Sequence, residues 1–487
     1  MNHEGKPPME NPYFTRDSLS DQEKDLIKGV QKLAKAIAGL EPNIEYTGTA
    51  PQAVIVGGFV RDVFMGLKPK DADIEVRGVA PEKLKEILKE LFGEISLAGE
   101  SFEVLKVNLG NGLDLDVSVP RHESKKSPGH KGFEIQGDPS MDIIEAARRR
   151  DFTINAMSMD PLTGVVFDPF GGLEDIKSRK LRVTDSAHFG EDALRVLRAA
   201  QFVSRFNLTV EPESFRLMRG VVAGPEFYIV PAGKKSSEEI GLAAGRFAEE
   251  WSKLLLKGQK PSCGLELMRQ LGIFEKIYPE IASQISADGG EEKWQQLIKR
   301  VDAVRQGLEV KGKDFSKNTK EMILLSVFCQ DWDKAVAREF LNEKKLTLDK
   351  KEVLLPAIAL SREFCSLDHS GELNDREFSG HLVSIFERLG GISSEIYLTV
   401  YETNALESEQ EEKTKIVSRA RELVKKYVLS ATPLVGGKDI LEIKPGFKPG
   451  KEMGQIIEQI KQKRRTGEIV DVDEARVELR KLLKLED

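Results

Sequence analysis

Cysteine is scarce in this sequence, and its placement excludes two kinds of site. Only three of the 487 residues are cysteines, Cys263, Cys329 and Cys365, and they lie far apart. An odd number of widely spaced cysteines suggests neither a disulfide framework nor a zinc site. We therefore expect a protein of the reducing cytoplasm.

Long apolar runs and an excess of positive charge are also lacking. No run approaches the roughly 18 apolar residues of a membrane span, and Met1 to Arg16 has no apolar core typical of a secretory signal. The net charge of −7 argues against indiscriminate nucleic-acid binding but leaves room for a local basic track. With 40% hydrophobic residues, the chain should form about three domains or subdomains.

The most informative stretch is an apolar run, Val54 to Val56, that ends at Gly57 and Gly58. Glycines leave the backbone open, so N–H groups at such a turn can meet an anion such as a phosphate. Arg61 follows three residues after Gly58 and can add a guanidinium fork to the same anion. The alternative is a glycine turn that binds nothing.

Carboxylates alternate along two predicted strands after this turn. Asp71, Asp73 and Glu75 share one face of the first strand. Asp114 and Asp116 share a face of the second strand of a predicted hairpin. Carboxylate oxygens suit Mg²⁺ that bridges to substrate phosphates, and a third carboxylate could help deprotonate an attacking hydroxyl. Asp116 is favoured over Asp114 as this third carboxylate. The alternative interpretation is that both strands lie at sheet edges and expose their carboxylates to solvent.

Positive charge is concentrated in later stretches. Pro120 to Phe133 is basic, aperiodic and too long for an idle turn, so it is predicted to be a mobile functional loop. Arg148 to Arg150 cannot all lie on one helix face, so at least one should point inward towards an anion such as a triphosphate. Asp192, Arg195 and Arg198 lie at i, i+3 and i+6 of a predicted helix, which usually indicates an ion-pair ladder.

Five motifs in a fixed order make a family resemblance specific. They are Gly57-Gly58-x-Val60-Arg61-Asp62, Asp71-x-Asp73, Arg149-Arg150-Asp151-Phe152-Thr153-x-Asn155-Ala156, Asp168-Pro169-Phe170-Gly171-Gly172 and Glu191-Asp192-x-x-Arg195-x-x-Arg198. The set closely resembles the class II tRNA nucleotidyltransferases, the CCA-adding enzymes, within the polymerase-β-like nucleotidyltransferase superfamily. The motifs cover about residues 50–205, and a weaker likeness continues to residue 280.

The resemblance implies a site for a triphosphate and for metal ions. Gly57-Gly58 and Arg61 would hold the triphosphate. Asp71 and Asp73 would bind two Mg²⁺, and Asp116 would be the third carboxylate, which helps to activate the primer 3′-hydroxyl.

The resemblance also implies a nucleotide pocket. Asp192 and Arg195 would read the incoming base as a protein template. One departure is Gln201, where many bacterial members carry a further arginine, and it puts one phosphate or sugar contact in doubt. The other implied nucleotide-binding residues are polar side chains of the motifs and the arginine that opens the family's flexible loop: Arg121, Arg150, Asp151, Asn155 and Arg198.

The predicted fold is α+β, a nucleotidyltransferase head with a small mixed or antiparallel sheet followed by an all-helical neck, body and tail. The expected parts are an N-terminal extension and helix (1–50), the head (51–175), neck (176–283), body (284–430) and tail (431–487). Between Lys438 and Arg465 eight basic residues stand against four acidic ones. This favours tail binding to the acceptor end and T arm of tRNA over a solvated surface helix.

The activity that the resemblance implies is template-independent addition of CCA to the 3′ end of tRNA from CTP and ATP. No membrane and no stable protein partner is expected. The alternatives are an enzyme that adds only A or only CC, a bacterial poly(A) polymerase, and a non-catalytic tRNA-binding or tRNA-folding protein. The long loop from Arg121 to Asp138 favours full CCA or A addition, and the set of three carboxylates disfavours the non-catalytic protein.

Overall fold

The computed structural model describes residues 9–10, 20–42, 46, 49–69, 71–98, 104–110, 112–125, 133–230, 241–310, 315–329, 331–341, 373–388, 397–398, 401–402, 410–427 and 433–485. Most of the predicted N-terminal tail and the middle of the predicted basic loop lie outside these residues. The chain divides into a first compact unit, Met1–Glu250 with Glu266–Ile277, and a second, Trp251–Leu265 with Tyr278–Asp487. The finer division into five parts stays a prediction.

The strands belong to the first unit. They are β1 (Met9–Glu10), β2 (Gln52–Val56), β3 (Asp71–Arg77), β4 (Ile95–Ala98), β5 (Val104–Gly110), β6 (Leu113–Ser118), β7 (Arg121–Lys125), β8 (Phe133–Gly137), β9 (Ser158–Met159), β10 (Val165–Phe167), β11 (Lys180–Leu181), β12 (Thr209–Val210), β13 (Ile229–Val230) and β14 (Leu242–Ala243). Eight of them form one sheet in the order β1-β10-β9-β2-β3-β6-β5-β4. Within this sheet β3 and β6 are parallel and the other described pairs are antiparallel, so the predicted mixed sheet is confirmed.

The helices of the first unit begin with α1 (Asp21–Ala38), α2 (Gly58–Phe64), α3 (Pro81–Phe92), α4 (Ile143–Arg148), α5 (Gly172–Lys177), α6 (Leu194–Phe206) and α7 (Pro212–Ala223). The helices α8 (Ala244–Lys257) and α9 (Pro261–Gln270) have residues in both units, and α10 (Ile273–Ile277) belongs to the first. Helix α1 begins at Asp21, because Ser20 and Glu23 form a capping box. Its buried face, which includes Leu26, Val30 and Leu33, packs on β2 and β3.

The described part of the second unit is helical. Its further helices are α11 (Pro279–Ser286), α12 (Gly290–Val310), α13 (Lys317–Cys329), α14 (Lys334–Phe340), α15 (Asp375–Arg388), α16 (Gln410–Tyr427), α17 (Gly437–Ile443), α18 (Lys451–Arg465) and α19 (Val472–Leu482). Trp251 packs edge-on against Phe328 and Phe340 in one of its cores. In the part of the chain that the structure describes, no helix combines the length and apolarity that crossing a bilayer needs.

The predicted loop between Pro120 and Phe133 is partly wrong. β7 and β8 pair antiparallel, with Arg121 opposite Gly137 and Lys125 opposite Phe133. β7 contains no apolar residue, and β8 alternates over only the four residues Phe133 to Gln136, so the pattern from which strands are predicted is weak. Only residues 126–132, between the two strands, lie outside the described chain.

Two glycines allow a test of how tightly this unit is packed. A methyl group at Gly172, the first residue of α5, would lie 2.3 Å from the carbonyl oxygen of Thr153, whereas one at Gly220 in α7 would meet nothing within 4 Å. Gly172→Ala should therefore lower the free energy of unfolding by about 1–3 kcal/mol. Gly220→Ala should raise it by about 0.5–1 kcal/mol, because alanine favours helix.

Urea unfolding followed by circular dichroism measures both changes. A Gly172→Ala protein as stable as the wild type would mean that α5 can move away from Thr153 without loss.

Candidate active site

The parallel pairing of β3 with β6 brings the predicted carboxylates together. Asp71 lies opposite Asp114 and Asp73 lies opposite Asp116. Because residues directly opposite each other on paired strands point to the same face, these carboxylates share one face of the sheet. β3 lies between β2 and β6, which excludes a solvated edge strand here.

The surroundings of Asp73 fit a bound cation. Burial raises the pKa of the Asp73 carboxyl, and Asp116 and Asp71 add to this while Arg150 and Arg61 oppose it. Asp116 Oδ1 is buried without a hydrogen-bond partner, although Lys106 Nζ lies 3.5 Å away. Both features describe negative charge that the protein leaves incompletely compensated.

No three histidine, cysteine or acidic side chains among the described residues already converge as a group that could hold a metal ion. The three predicted ligands are Asp71, Asp73 and Asp116. Their oxygen chemistry fits a hard divalent cation such as Mg²⁺.

Glu75 departs from the row of carboxylates in which the sequence predicts it. Its side chain is buried and accepts a hydrogen bond from Arg77 Nη2. Its other oxygen lies 3.5 Å from Arg150 Nη2. Glu75 is therefore an ion-pair partner of two arginines, which an alternation pattern cannot distinguish from a metal ligand.

The glycine turn is shaped by close contact with charged side chains. Gly57 has a φ of +69°, in the region that favours glycine. A Cβ atom there would lie 2.9 Å from Arg150 Nη1 and 3.9 Å from Asp73 Oδ2. At Gly58 a Cβ atom would lie 3.4 Å from Arg61 Nη2. Because both residues are glycines, Arg150 can approach the backbone at Gly57 and Arg61 can approach it at Gly58.

Arg61 is held firmly beneath this turn. Its Nε and Nη2 both donate to Asp62 Oδ1, at 2.8 and 2.6 Å. Nη1 donates to Asn155 Oδ1 at 2.6 Å. The guanidinium also lies over the rings of Phe202 and Phe206, at 5.3 and 4.7 Å from their centroids. Most of its donors are therefore used within the protein, which fixes its orientation.

Asp151 links Asn155 to the helix α6. Its Oδ1 accepts from Asn155 Nδ2 at 2.9 Å and its Oδ2 accepts from Arg198 Nε at 2.7 Å. Burial alone would raise the pKa of Asp151, but Arg198, Asn155 and the N–H of Phe152 together hold it below its usual value. A continuous chain of hydrogen bonds thus runs from Arg198 to Arg61.

The predicted base-reading pair lies at the start of α6. Helix α6 begins at Leu194, and Asp192 Oδ1 accepts a hydrogen bond from the N–H of Leu194. Asp192 therefore lies before the helix, which corrects the expectation that it shares one helix with Arg195 and Arg198. Arg195 donates to the carbonyl oxygens of His188 and Arg149, at 3.0 and 2.9 Å.

The three consecutive arginines have different surroundings. Arg148 lies near Glu145 and Asp185, and Arg149 donates to the carbonyl oxygen of Arg121. Arg150 faces the glycine turn and lowers the pKa of Asp73 by its charge. The expectation that one of them points inward is met by Arg150.

Sequence reasoning does not find two charged residues of this site. Lys106 lies directly opposite Asp116 on the β5–β6 hairpin. Pairing the two strands of the predicted hairpin residue by residue would identify this contact from the sequence. Arg205 approaches Asp62 across 143 residues of sequence, at 3.5 Å. No local pattern predicts a contact over such a separation.

Comparisons with known proteins match the same part of the chain. The poly A polymerase head domain matches residues 53–182, and the probable RNA and SrmB-binding site of polymerase A matches residues 241–285. The multifunctional CCA protein of Nitrosococcus oceani is 34% identical over 231 residues, 47% of this chain and 51% of that relative. Its counterpart from Vibrio vulnificus is 35% identical over 250 residues, 51% of this chain and 55% of the relative. The chain thus spans about half the length of the curated relatives it matches.

Solved structures resemble the chain over nearly its whole length. A CCA-adding enzyme with CTP has a TM-score of 0.61 and 23% identity, covering 96% of this chain and 99% of that one. The resemblance to the class II tRNA nucleotidyltransferases is confirmed. The Thermotoga maritima CCA-adding enzyme complexed with tRNA has a TM-score of 0.60 and 21% identity, covering 98% and 99% of the two chains. At such identities the likeness of solved structures shows the fold of a CCA-adding enzyme.

The pairing of Arg198 with Asp151 predicts a pH-dependent loss of stability. At pH 7, Arg198→Gln should lower the free energy of unfolding by about 3 kcal/mol, because a buried carboxylate loses its cation. Without Arg198, the folded-state pKa of Asp151 is higher than in the wild type, because only Asn155 and the N–H of Phe152 oppose burial, so the variant gains less stability as pH rises. The wild type, with a lowered pKa, loses stability as pH falls. The difference between the two proteins should therefore shrink from pH 7 towards pH 4.

Urea unfolding at pH 7 and pH 4.5 tests this. Arg269→Gln is the matched control, since it breaks a more exposed pair with Glu266 and should cost under about 1 kcal/mol. An equal loss for Arg198→Gln at both pH values would contradict the assigned pairing.

Proposed function

We propose that this protein adds CCA to the 3′ ends of tRNA, using CTP and ATP without a nucleic-acid template and releasing pyrophosphate. The observation that carries the proposal is a charge separation within the head, where a face rich in carboxylates adjoins a group of arginines. A nucleoside triphosphate with its metal ion carries both kinds of charge. The names of the relatives, which describe multifunctional CCA proteins, support the same activity.

The arginine side of the site contains more positive than negative groups. Two carboxylates serve four guanidinium groups, since Glu75 pairs with Arg77 and Arg150, and Asp62 pairs with Arg61 and Arg205. A surplus of guanidinium charge beside open backbone suits the oxygens of a triphosphate. We therefore assign phosphate binding to Gly57-Gly58 and Arg150, with Arg61 adding its positive charge from a buried position.

The opposite side of the site is acidic. The nucleotidyltransferase family implies a divalent metal, and we propose that it is Mg²⁺, held by Asp71, Asp73 and Asp116. When bound, such a metal would activate the primer hydroxyl and offset charge on the phosphates. The raised pKa of Asp73 supports this assignment, because crowded carboxylates gain most from a cation.

The protein's own groups would do the remaining work. Asp116, whose side chain is 36% exposed, would accept the proton of the primer 3′-hydroxyl. The 3′-oxygen then forms a bond to the α-phosphorus, and the bond from the α-phosphorus to the bridging oxygen breaks. Pyrophosphate leaves with the electron pair, and the guanidinium groups stabilise its charge.

Asp192 and Arg195 would select the base. Cytosine and adenine both present an amine donor beside a ring-nitrogen acceptor, which a carboxylate and a guanidinium can match. Uracil and guanine present a carbonyl and an N–H there, leaving buried groups unmatched at about 1–3 kcal/mol each. The two carbonyl oxygens that hold Arg195 keep its guanidinium in one orientation, as selection requires.

Binding of tRNA by the tail rests on fewer residues than the sequence count suggests. Lys463 pairs with Glu478, and Arg465 pairs with Glu387. The better candidates for phosphate contacts are three exposed lysines: Lys438 in α17, Lys448 shortly before α18 and Lys451 at its start. We place the reaction in the cytoplasm, which the scattered cysteines support.

Two further functions share the same head. The match to a poly A polymerase head domain keeps poly(A) synthesis as the second candidate. Addition of only A or only CC would use the same residues. A non-catalytic tRNA-binding protein would have no need for the row of carboxylates on β3 and β6.

One assay separates these functions. Purified protein is given tRNAs that end at the discriminator base, at C and at CC, with labelled CTP or ATP and Mg²⁺. CCA ends on all three support the proposal. Growth only from the CC end indicates A addition, growth that stops at CC indicates CC addition, and long adenosine tails indicate poly(A) synthesis. No incorporation on any substrate would refute an enzymatic function.

Loss of the carboxylates should separate chemistry from binding. We expect Asp71→Ala with Asp73→Ala to reduce nucleotide addition at least about 10³-fold, because metal charge is lost from the transition state. Binding of tRNA, measured by filter retention, should stay within about twofold. Retained addition would remove Asp71 and Asp73 from the proposed metal site.

Loss of the base reader should change selectivity. Asp192→Ala should raise the incorporation of UTP and GTP relative to CTP and ATP by about tenfold, since one unmatched group is removed. The measurement is the ratio of kcat/KM values for the four nucleotides, with tRNA affinity as the control. An unchanged ratio would refute the templating role.

A further inference from the structure

Arg205 is a cation near the end of α6 to which the family resemblance assigns no role. Its side chain is 27% exposed, and its Nη2 lies 3.5 Å from Asp62 Oδ2. That distance is long for a charge-assisted hydrogen bond. The other oxygen of Asp62 already accepts two N–H groups of Arg61. The Asp62 carboxylate therefore pairs with two guanidinium groups, closely with Arg61 and only loosely with Arg205.

Arg205 lies beside the predicted phosphate site, because Asp62, with which it pairs, also binds Arg61 next to Gly58. Burial lowers its pKa and the charge of Arg61 adds to this, while Asp62 and Asp71 oppose it. An influence of Asp71 means that the guanidinium lies within electrostatic reach of a proposed metal ligand. Gln201, one turn earlier on α6, is buried and uncharged. Arg205, and not Gln201, is therefore the residue of these two that can bind an anion.

We propose that Arg205 binds the phosphate chain of the nucleotide and stays with the pyrophosphate as it leaves. The identity of this anion rests on the proposed function. A guanidinium presents parallel N–H donors that match phosphate oxygens, and the incomplete pairing leaves donors available. Phosphate oxygens would supply the negative charge that Asp62 alone does not provide.

A purely structural role makes a different prediction. If Arg205 only supported Asp62, it would act through Arg61, and removing it would have no further effect once Asp62 is neutral. If Arg205 binds phosphate, its removal weakens binding whether or not Asp62 is charged. A cycle with Asp62→Asn therefore separates the two roles.

The experiment measures binding to the full-length protein by titration calorimetry, with inorganic pyrophosphate and CMP as separate probes in the presence of Mg²⁺. Arg205→Gln should weaken pyrophosphate binding about tenfold, and CMP binding should change less than about twofold. Arg205→Lys should restore most of the lost affinity, because the charge is kept. Arg269→Gln removes an arginine of similar exposure elsewhere in the first unit and should leave both affinities unchanged.

The proposal is overturned if Arg205→Gln leaves pyrophosphate affinity intact, if CMP affinity falls equally, or if the effect vanishes in the Asp62→Asn background. Thermal unfolding of each variant identifies any loss of folded protein. If Arg205→Gln does not fold, the affinities of Arg205→Lys for pyrophosphate and CMP are compared with those of the wild type instead. Pyrophosphate binding needs no nucleotide transfer. A wild type that binds pyrophosphate through Arg205 but adds nothing to tRNA would therefore refute only the proposed function.

Discussion

The parallel pairing of β3 with β6 is the constraint on which the head site depends. It fixes Asp73 opposite Asp116 and Asp71 opposite Asp114 on one face of the sheet. Burial, together with the repulsion between carboxylates so close to each other, raises the pKa of Asp73. The backbone hydrogen bonds of the two strands thus hold negative charge together that would otherwise separate. A cation relieves that repulsion, which is why the fold and the proposed chemistry need the same strand pair.

The neighbouring arginines are organised by carboxylates that they share. Asp151 and Asn155 connect Arg198 on α6 to Arg61 beneath the glycine turn, and Asp62 connects Arg61 to Arg205 at the other end of the helix. The helix expected to read the base and the turn expected to hold phosphates therefore belong to one hydrogen-bonded network. Displacing either part would leave buried charge unpaired, so the network keeps both in place.

The sequence predicts the elements whose signals are local. The predicted hairpin that carries Asp114 and Asp116 is found, and a capping box at Ser20 starts α1; each depends on residues only a few positions apart. β7 has no apolar residue and β8 alternates over only four residues, so neither gives a strong strand signal. Helix α6 begins after Asp192, although the charge spacing places Asp192 on the helix. Glu75 matches the alternation of its strand but is neutralised by Arg77 and Arg150, which only the packed structure reveals.

By itself, the sequence determined the family resemblance, the mixed α+β head and the residues that carry the proposed chemistry, because motif spacing and strand alternation are properties of short segments. The tertiary structure decided which charges compensate one another. The contacts of Asp151 with Arg198 and of Asp62 with Arg205 join residues 47 and 143 positions apart. The energy of such pairs depends on distance and burial, and neither quantity is defined until the chain has folded.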